Sequence, residues 1–263
     1  MTEAPRMSRR ARGWAQTWAG VAAVLVLAEV AARTELVPSR YFPPMSRTFA
    51  ELAGQLGEGA FWAAVGQTLQ GWALGLGIAA AFAVPAGMIL GTSVVRYRAF
   101  RVIIEFLRPI PSVALIPLAI LVYGAGLESK VFLAAFAAFW PLLIQTLYGM
   151  QDVDPVAVDT ARVFGLSRLE RLTRVVLPGA VPYLATGLRI SSSVSLILAV
   201  TAELVIGAPG LGREINAARV GGATELLYAL IIVTGLLGWA LNSGFATAER
   251  RVLHWHPAQR GAR

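Results

Sequence analysis

The chain has 263 residues, 56% of them hydrophobic and only 14% charged, with a mean hydropathy of +0.63 and a formal net charge of +8. Soluble domains carry about 25% charged residues, so this balance points to a polytopic membrane protein whose arginines face the cytoplasm, not to a nucleic-acid surface. Cysteine is absent, which excludes disulfides and thiolate metal sites, and the single lysine, Lys130, follows Ser129 where a G-x-x-x-x-G-K-[ST] nucleotide loop requires glycine.

A basic arm over 1–13, with Arg6, Arg9, Arg10 and Arg12, leads into an apolar run over 14–32. About 20 residues suffice to cross a bilayer, so this run reads as a retained first span entering from the cytoplasm, not a cleaved leader. Its one carboxylate, Glu29, lies near the outer end and reads as reaching the interface. Residues 33–66 are mixed; Pro43 and Pro44 forbid continuous helix, and Ser46 stands where it could cap a short helix through Leu56. The second span, 67–91, carries Gly71, Gly75 and Gly77, small residues that let membrane helices approach closely.

Arg96, Arg98, Arg101 and Arg108 then mark a basic turn, with Glu105 and Arg108 spaced for a local ion pair. The apolar run that follows is interrupted by Pro109, Pro111 and Pro117, which makes it either a kinked span or one that lines a cavity. A fourth span covers 131–150, with Gln145 and Thr146 as its polar members.

A polar island follows over 152–182. Asp154 can cap a helix that begins at Pro155 and stops at Gly165. Ser167 and Glu170 form a capping box for a second helix, with Leu169, Leu172 and Val176 on one face and Arg168, Arg171 and Arg174 on another. Pro178 is expected to end it. Such a hairpin either lies on anionic lipid headgroups or docks a second protein. A fifth span, 187–206, contains Glu203. The segment GAPGLGREINAA turns on Gly207, Pro209, Gly210 and Gly212, and a sixth span covers 226–246. The core so outlined is 67–250, followed by a basic tail, 251–263, in which His254 and His256 lack a third metal ligand. Six spans place most of the arginines on the side of both termini and of the 152–182 loop, which by the positive-inside rule is the cytoplasm.

Within the polar island, Asp159-Thr160-Ala161, Gly165 and Val175-Val176-Leu177-Pro178 resemble the EAA loop of ABC importer permeases, E-A-A, three residues, G, nine residues, I-x-L-P. Every spacing matches; Asp replaces Glu, Thr the first Ala and Val the Ile. The run from Pro117 to Gly126 and the pair Ala202-Glu203 followed by Gly210-Leu211-Gly212 extend the likeness over residues 40–255. The resemblance is to the nitrate/sulfonate/taurine group of these bacterial inner-membrane permeases.

The resemblance implies an all-α polytopic membrane fold of about six transmembrane helices with a cytoplasmic coupling loop. It implies a conduit and not an enzyme, with no cofactor, for a small solute such as a sulfonate, taurine or nitrate. The implied partners are separate ATP-binding cassette ATPase subunits, an extracytoplasmic substrate-binding protein, a second permease copy and membrane lipid, and both termini are cytoplasmic. Asp159, Thr160, Ala161, Gly165, Leu177 and Pro178 are the implied coupling residues. Pro111, Pro117, Glu203, Gly210 and Gly212 are the candidates for the pathway or its gate. The alternatives are a secondary transporter or channel working without an ATPase, and the same importer type carrying a pyrimidine-like vitamin precursor.

Overall fold

The computed structural model describes residues 9–34, 38 and 40–253, with side chains in the first helix from Trp18 onward. Most of the basic arm and the two histidines lie outside the described residues. The described chain is helical and divides by packing into two units, Met1–Gly59 with Ile215–Ile232, and Ala60–Glu214 with Val233–Arg263.

In the first unit, α1 (Arg9–Arg33) precedes α2 (Met45–Gln55), which starts directly after Pro44. Ser46 is not the cap. It sits inside the first turn, where its N–H donates to Glu29 Oε2 at 3.0 Å and its hydroxyl to Glu29 Oε1 at 2.8 Å. Glu29, expected to reach the interface, instead supplies the acceptor for an orphan first-turn amide and sets negative charge at a helix N-terminus. It also pairs with Arg33 at 2.6 Å. The same unit holds the start of α11 (Thr224–Val252), where Thr224 and Tyr228 donate to the carbonyls of Arg40 and Tyr41 at 2.9 and 3.0 Å.

The second unit is built on α3 (Gly59–Gly91), α6 (Leu127–Gln151) and α9 (Leu177–Ile206). Along α3, Gly71, Gly75, Ala79, Ala83, Gly87 and Gly91 recur every fourth residue and form a ridge without bulk. A Cβ added at Gly71, Gly75, Gly87 or Gly91 would fall 2.5–2.6 Å from atoms of Lys130, Ala134, Thr146 and Met150. Ala79 and Ala83 pack in clusters with Ala138 and Leu142. The facing residues on α6 are also four apart, so the two helices run parallel, ridge against ridge. Gly77 faces open space and takes no part. Against α6, α9 runs antiparallel: Gly187 abuts Gln145, Gly149 abuts Tyr183, and the Ser191 hydroxyl donates to the Ala138 carbonyl at 2.7 Å.

The predicted basic turn is a helix. Ser93 accepts from the Arg96 N–H and opens α4 (Val94–Leu107), which carries Arg96, Arg98 and Arg101. Glu105 pairs with Arg101 at 2.6 Å and not with Arg108, because Arg108 is the C-cap and the chain leaves the helix axis at Pro109. A 3₁₀ turn, Ser112–Leu115, and α5 (Ile116–Tyr123) follow, bent 79° from α4. Pro117 stands in the first turn of α5, where its missing N–H costs nothing. Among the described residues four helices are long and apolar enough to cross a membrane, and the bent pair would make a fifth; α1 is not among them, and the side chains of its residues 9–17 lie outside the described residues.

Pro178 does not end a helix. After α7 (Pro155–Val163) and α8 (Arg168–Arg171), a π-turn over Leu172–Val176 runs straight into α9, giving continuous helix from Arg168 to Ile206. A proline clashes with the carbonyl four residues back in α geometry; the wider π-turn moves that carbonyl aside and absorbs the ring. The fifth span therefore begins well before residue 187. The Gly-rich turn is also shorter than expected, since helix resumes as α10 (Leu211–Val220).

Candidate functional site: a coupling loop and a buried ion-pair knot

The loop between α6 and α9 is fixed by three local devices. The Asp154 carboxylate accepts from the Val156 N–H at 2.8 Å and caps α7. At the other end of α7, Gly165 takes φ +80°, its N–H donates to Arg162 and the Leu166 N–H to Ala161, both at 3.0 Å. Those two bonds form a Schellman ending, which needs the left-handed residue. Ser167 and Glu170 complete the predicted capping box. The backbone is thus set without burying the side chains it presents: Val156, Val163, Phe164 and Leu169 are 69–86% exposed. Asp159 and Thr160 are also exposed, Asp159 pairing with Arg162 at 3.0 Å, whereas Ala161 is buried. Leu177 is half-buried and Pro178 exposed at the start of α9.

At the far end of α6 and α9 the chemistry is reversed. Glu203 and Lys130 are 0% and 1% exposed and paired at 3.0 Å. Lys130, which from sequence reads as a loop charge, donates to Glu203 Oε1, to the Gln67 carbonyl at 2.9 Å and to the Pro209 carbonyl at 2.8 Å, so all three ammonium protons are used. The other carboxylate oxygen accepts from the Thr68 hydroxyl and from the Gly212 N–H, each at 2.9 Å. Thr68 in turn accepts from the Leu211 N–H at 2.9 Å. Every polar atom of the pair is satisfied, which is the condition under which buried charge persists.

Three glycines make this knot possible. A Cβ at Gly71 would strike the Lys130 stem at 2.5 Å, one at Gly210 (φ +148°) the Glu203 carboxylate at 2.1 Å, and one at Gly212 the Val200 carbonyl at 2.4 Å. The structure therefore gathers Glu203, Gly210 and Gly212 in one place and joins to them Lys130 and Thr68, which sequence reasoning did not place at a site, and Gly71, which it read only as a packing residue. The only signal for Lys130 was its uniqueness as a lysine. Pro111 lies elsewhere, in the wall of a cleft between the α4–α5 bend, α6 and α9, and Pro117 lies in neither place. No group of three or more metal-ligating side chains occurs among the described residues.

Residues 83–253 match the family described as the binding-protein-dependent transport system inner membrane component. The chain is 32% identical to the taurine transport system permease protein TauC of Escherichia coli (strain K12), over 90% of this chain and 88% of that one. It is 34% identical to the nitrate import permease protein NrtB of Leptolyngbya laminosa, over 74% and 70% of the respective chains. Among solved structures, the inward-facing MetNI methionine ABC transporter superposes with a TM-score of 0.65 at 18% identity, covering 73% of this chain and 96% of that chain, a likeness of fold. An exposed, rigidly capped EAA-type loop, apolar spanning helices and this match together make the chain a member of the family of inner-membrane permease components of binding-protein-dependent ABC importers.

Proposed function

We propose that this permease carries a small oxyanion such as a sulfonate, taurine or nitrate, and that the loop of residues 152–182 docks a separate ATPase subunit in the cytoplasm. The carrying observation is the loop itself: four apolar side chains held in water on a backbone fixed by a cap, a Schellman ending and a capping box. Apolar surface on a rigid frame is what a partner groove uses, because docking then costs little ordering entropy. Closure of an ATPase pair would move the loop, and α9, continuous with it, would carry that motion into the membrane. Two copies forming the pore, a binding protein delivering substrate from outside, and cytoplasmic termini complete the reading. The named relatives support the anion class, since one is a taurine and another a nitrate permease.

An ion-coupled carrier needs free ionisable groups at the depth of its spans; Glu203 is engaged in the knot, and Glu29, the other carboxylate singled out from sequence, is engaged at the start of α2. The test is co-purification of the chain with its candidate ATPase and measurement of ATP turnover in proteoliposomes. Wild type should recruit the ATPase, and Phe164→Asp should abolish recruitment while the permease stays folded. Equal recruitment by both would remove the docking role.

A further inference from the structure

We infer that the cleft at the α4–α5 bend is a binding subsite for the oxyanion, with Arg108 as its counter-charge and Gln145 as the amide that orients it. This rests on the anion-import reading and deepens it. The cleft has a volume of about 520 Å³ and is walled by the bend (Arg108, Pro111, Ser112), by α6 (Trp140, Gln145) and by α9 (Ile190). That volume, mostly apolar with a few convergent polar groups, is the form of a small-molecule site. Its polar side chains are Arg108, Ser112 and Gln145, and no carboxylate lines it.

Arg108 is free to serve a ligand for a stated reason. The one carboxylate within helical reach, Glu105, is held by Arg101 at 2.6 Å. The chain then bends by 79° between α4 and the segment from Ser112, and Arg108, which lines the cleft, has no ion pair among the described residues. Gln145 is positioned by backbone contact, since a Cβ on Gly187 would fall 2.8 Å from its own Cβ, yet its amide has no hydrogen-bond partner among the described residues. Trp140 in the same wall is 9% exposed and its indole N–H has no acceptor. A cleft with a spare guanidinium, a spare amide and no carboxylate is short of acceptors. A sulfonate or nitrate supplies several, in the planar or forked arrangement a guanidinium binds best.

A second cleft, of about 440 Å³, also has Gln145 in its wall, together with Thr186, Tyr183 and Asp152, whose carboxylate accepts the Tyr183 hydroxyl. Gln145 thus lines both clefts.

The experiment uses the permease with its ATPase subunits and binding protein in proteoliposomes, with labelled taurine, methanesulfonate and nitrate as probes. Wild type, Arg108→Gln, Arg108→Lys, Gln145→Leu and the off-cleft control Arg98→Gln are compared at saturating binding protein. Arg108→Gln should lower uptake about tenfold or more, the loss expected for one charged hydrogen-bonding group, with Lys restoring a substantial part and Arg98→Gln changing nothing. The melting temperature of the detergent-solubilised permease–ATPase complex gives a second reading. Methanesulfonate, compared with chloride at equal ionic strength, should raise it for wild type and not for Arg108→Gln. If wild type takes up the probes and the Arg108 and Gln145 variants match it in uptake and in the melting shift, the subsite is wrong while the import reading stands. If wild type takes up none of the three, the anion reading fails and the subsite falls with it.

Discussion

The helices α6 and α9 are bound together at both ends, by opposite means. At the Lys130–Glu203 end, charge is buried and each donor and acceptor is consumed within the chain. At the loop end, the backbone is equally well determined, but apolar side chains stand exposed. A satisfied interior needs nothing further, so the first end belongs to the fold. A rigid backbone that leaves Val163 and Phe164 uncovered is the observation on which the proposed docking of an ATPase subunit rests.

The contrast breaks most sharply at the buried end. Lys130→Met or Glu203→Leu alone leaves an uncompensated buried charge, and each should cost about 3–5 kcal/mol in thermal or denaturant unfolding. The double variant should cost much less than the sum, because it removes both desolvation penalties; additive losses would mean that the pair is not coupled. Gly210→Ala follows, with a Cβ 2.1 Å from the Glu203 carboxylate and an unfavourable φ; a loss of about 1–3 kcal/mol and a loosened α9–α10 connection in hydrogen exchange are expected.

At the loop end the expected effects move from folding to binding. Phe164→Asp should leave the melting temperature within error and weaken ATPase binding at least about tenfold, as truncation of an apolar anchor does. Gly165→Val, where space is open and only the left-handed backbone is at stake, should cost about 1–2 kcal/mol locally and show as partial loss of ATP-coupled uptake. Asp159→Ala removes one exposed ion pair with Arg162 and should change neither melting temperature nor assembly measurably. A strong effect there would show that Asp159 contacts the partner.

The same contrast explains what could be read from sequence. Asp154, Gly165 and the Ser167–Glu170 box were legible because each acts within two to five residues of its own position, and capping chemistry is local. The knot was not, since Thr68 and Lys130 reach Glu203 from 135 and 73 residues away. Glu203 could be flagged as costly in a membrane, but nothing in its neighbourhood names the lysine that answers it. Small residues in α3 were legible as a packing signal, yet only the facing helix shows that Gly71 and Gly75 are used and Gly77 is not. Pro178 was misread because the rule that proline stops a helix assumes α geometry throughout, and the π-turn before it departs from that geometry.

That π-turn sets the phase of the loop of residues 152–182 relative to α9. A π-turn holds one residue more than the α-turn it replaces, so the helical faces before and after it are offset by about 100°, one residue's rotation. Deleting a single residue within Leu172–Val176 would let the helix close into regular α geometry with its hydrogen-bond ladder intact, while turning Leu169 and everything before it a quarter-circle or so about the axis of α9. The direction in which this protein presents its loop is thus stored as one surplus residue, a rotational setting that a shortened chain would lose without unfolding.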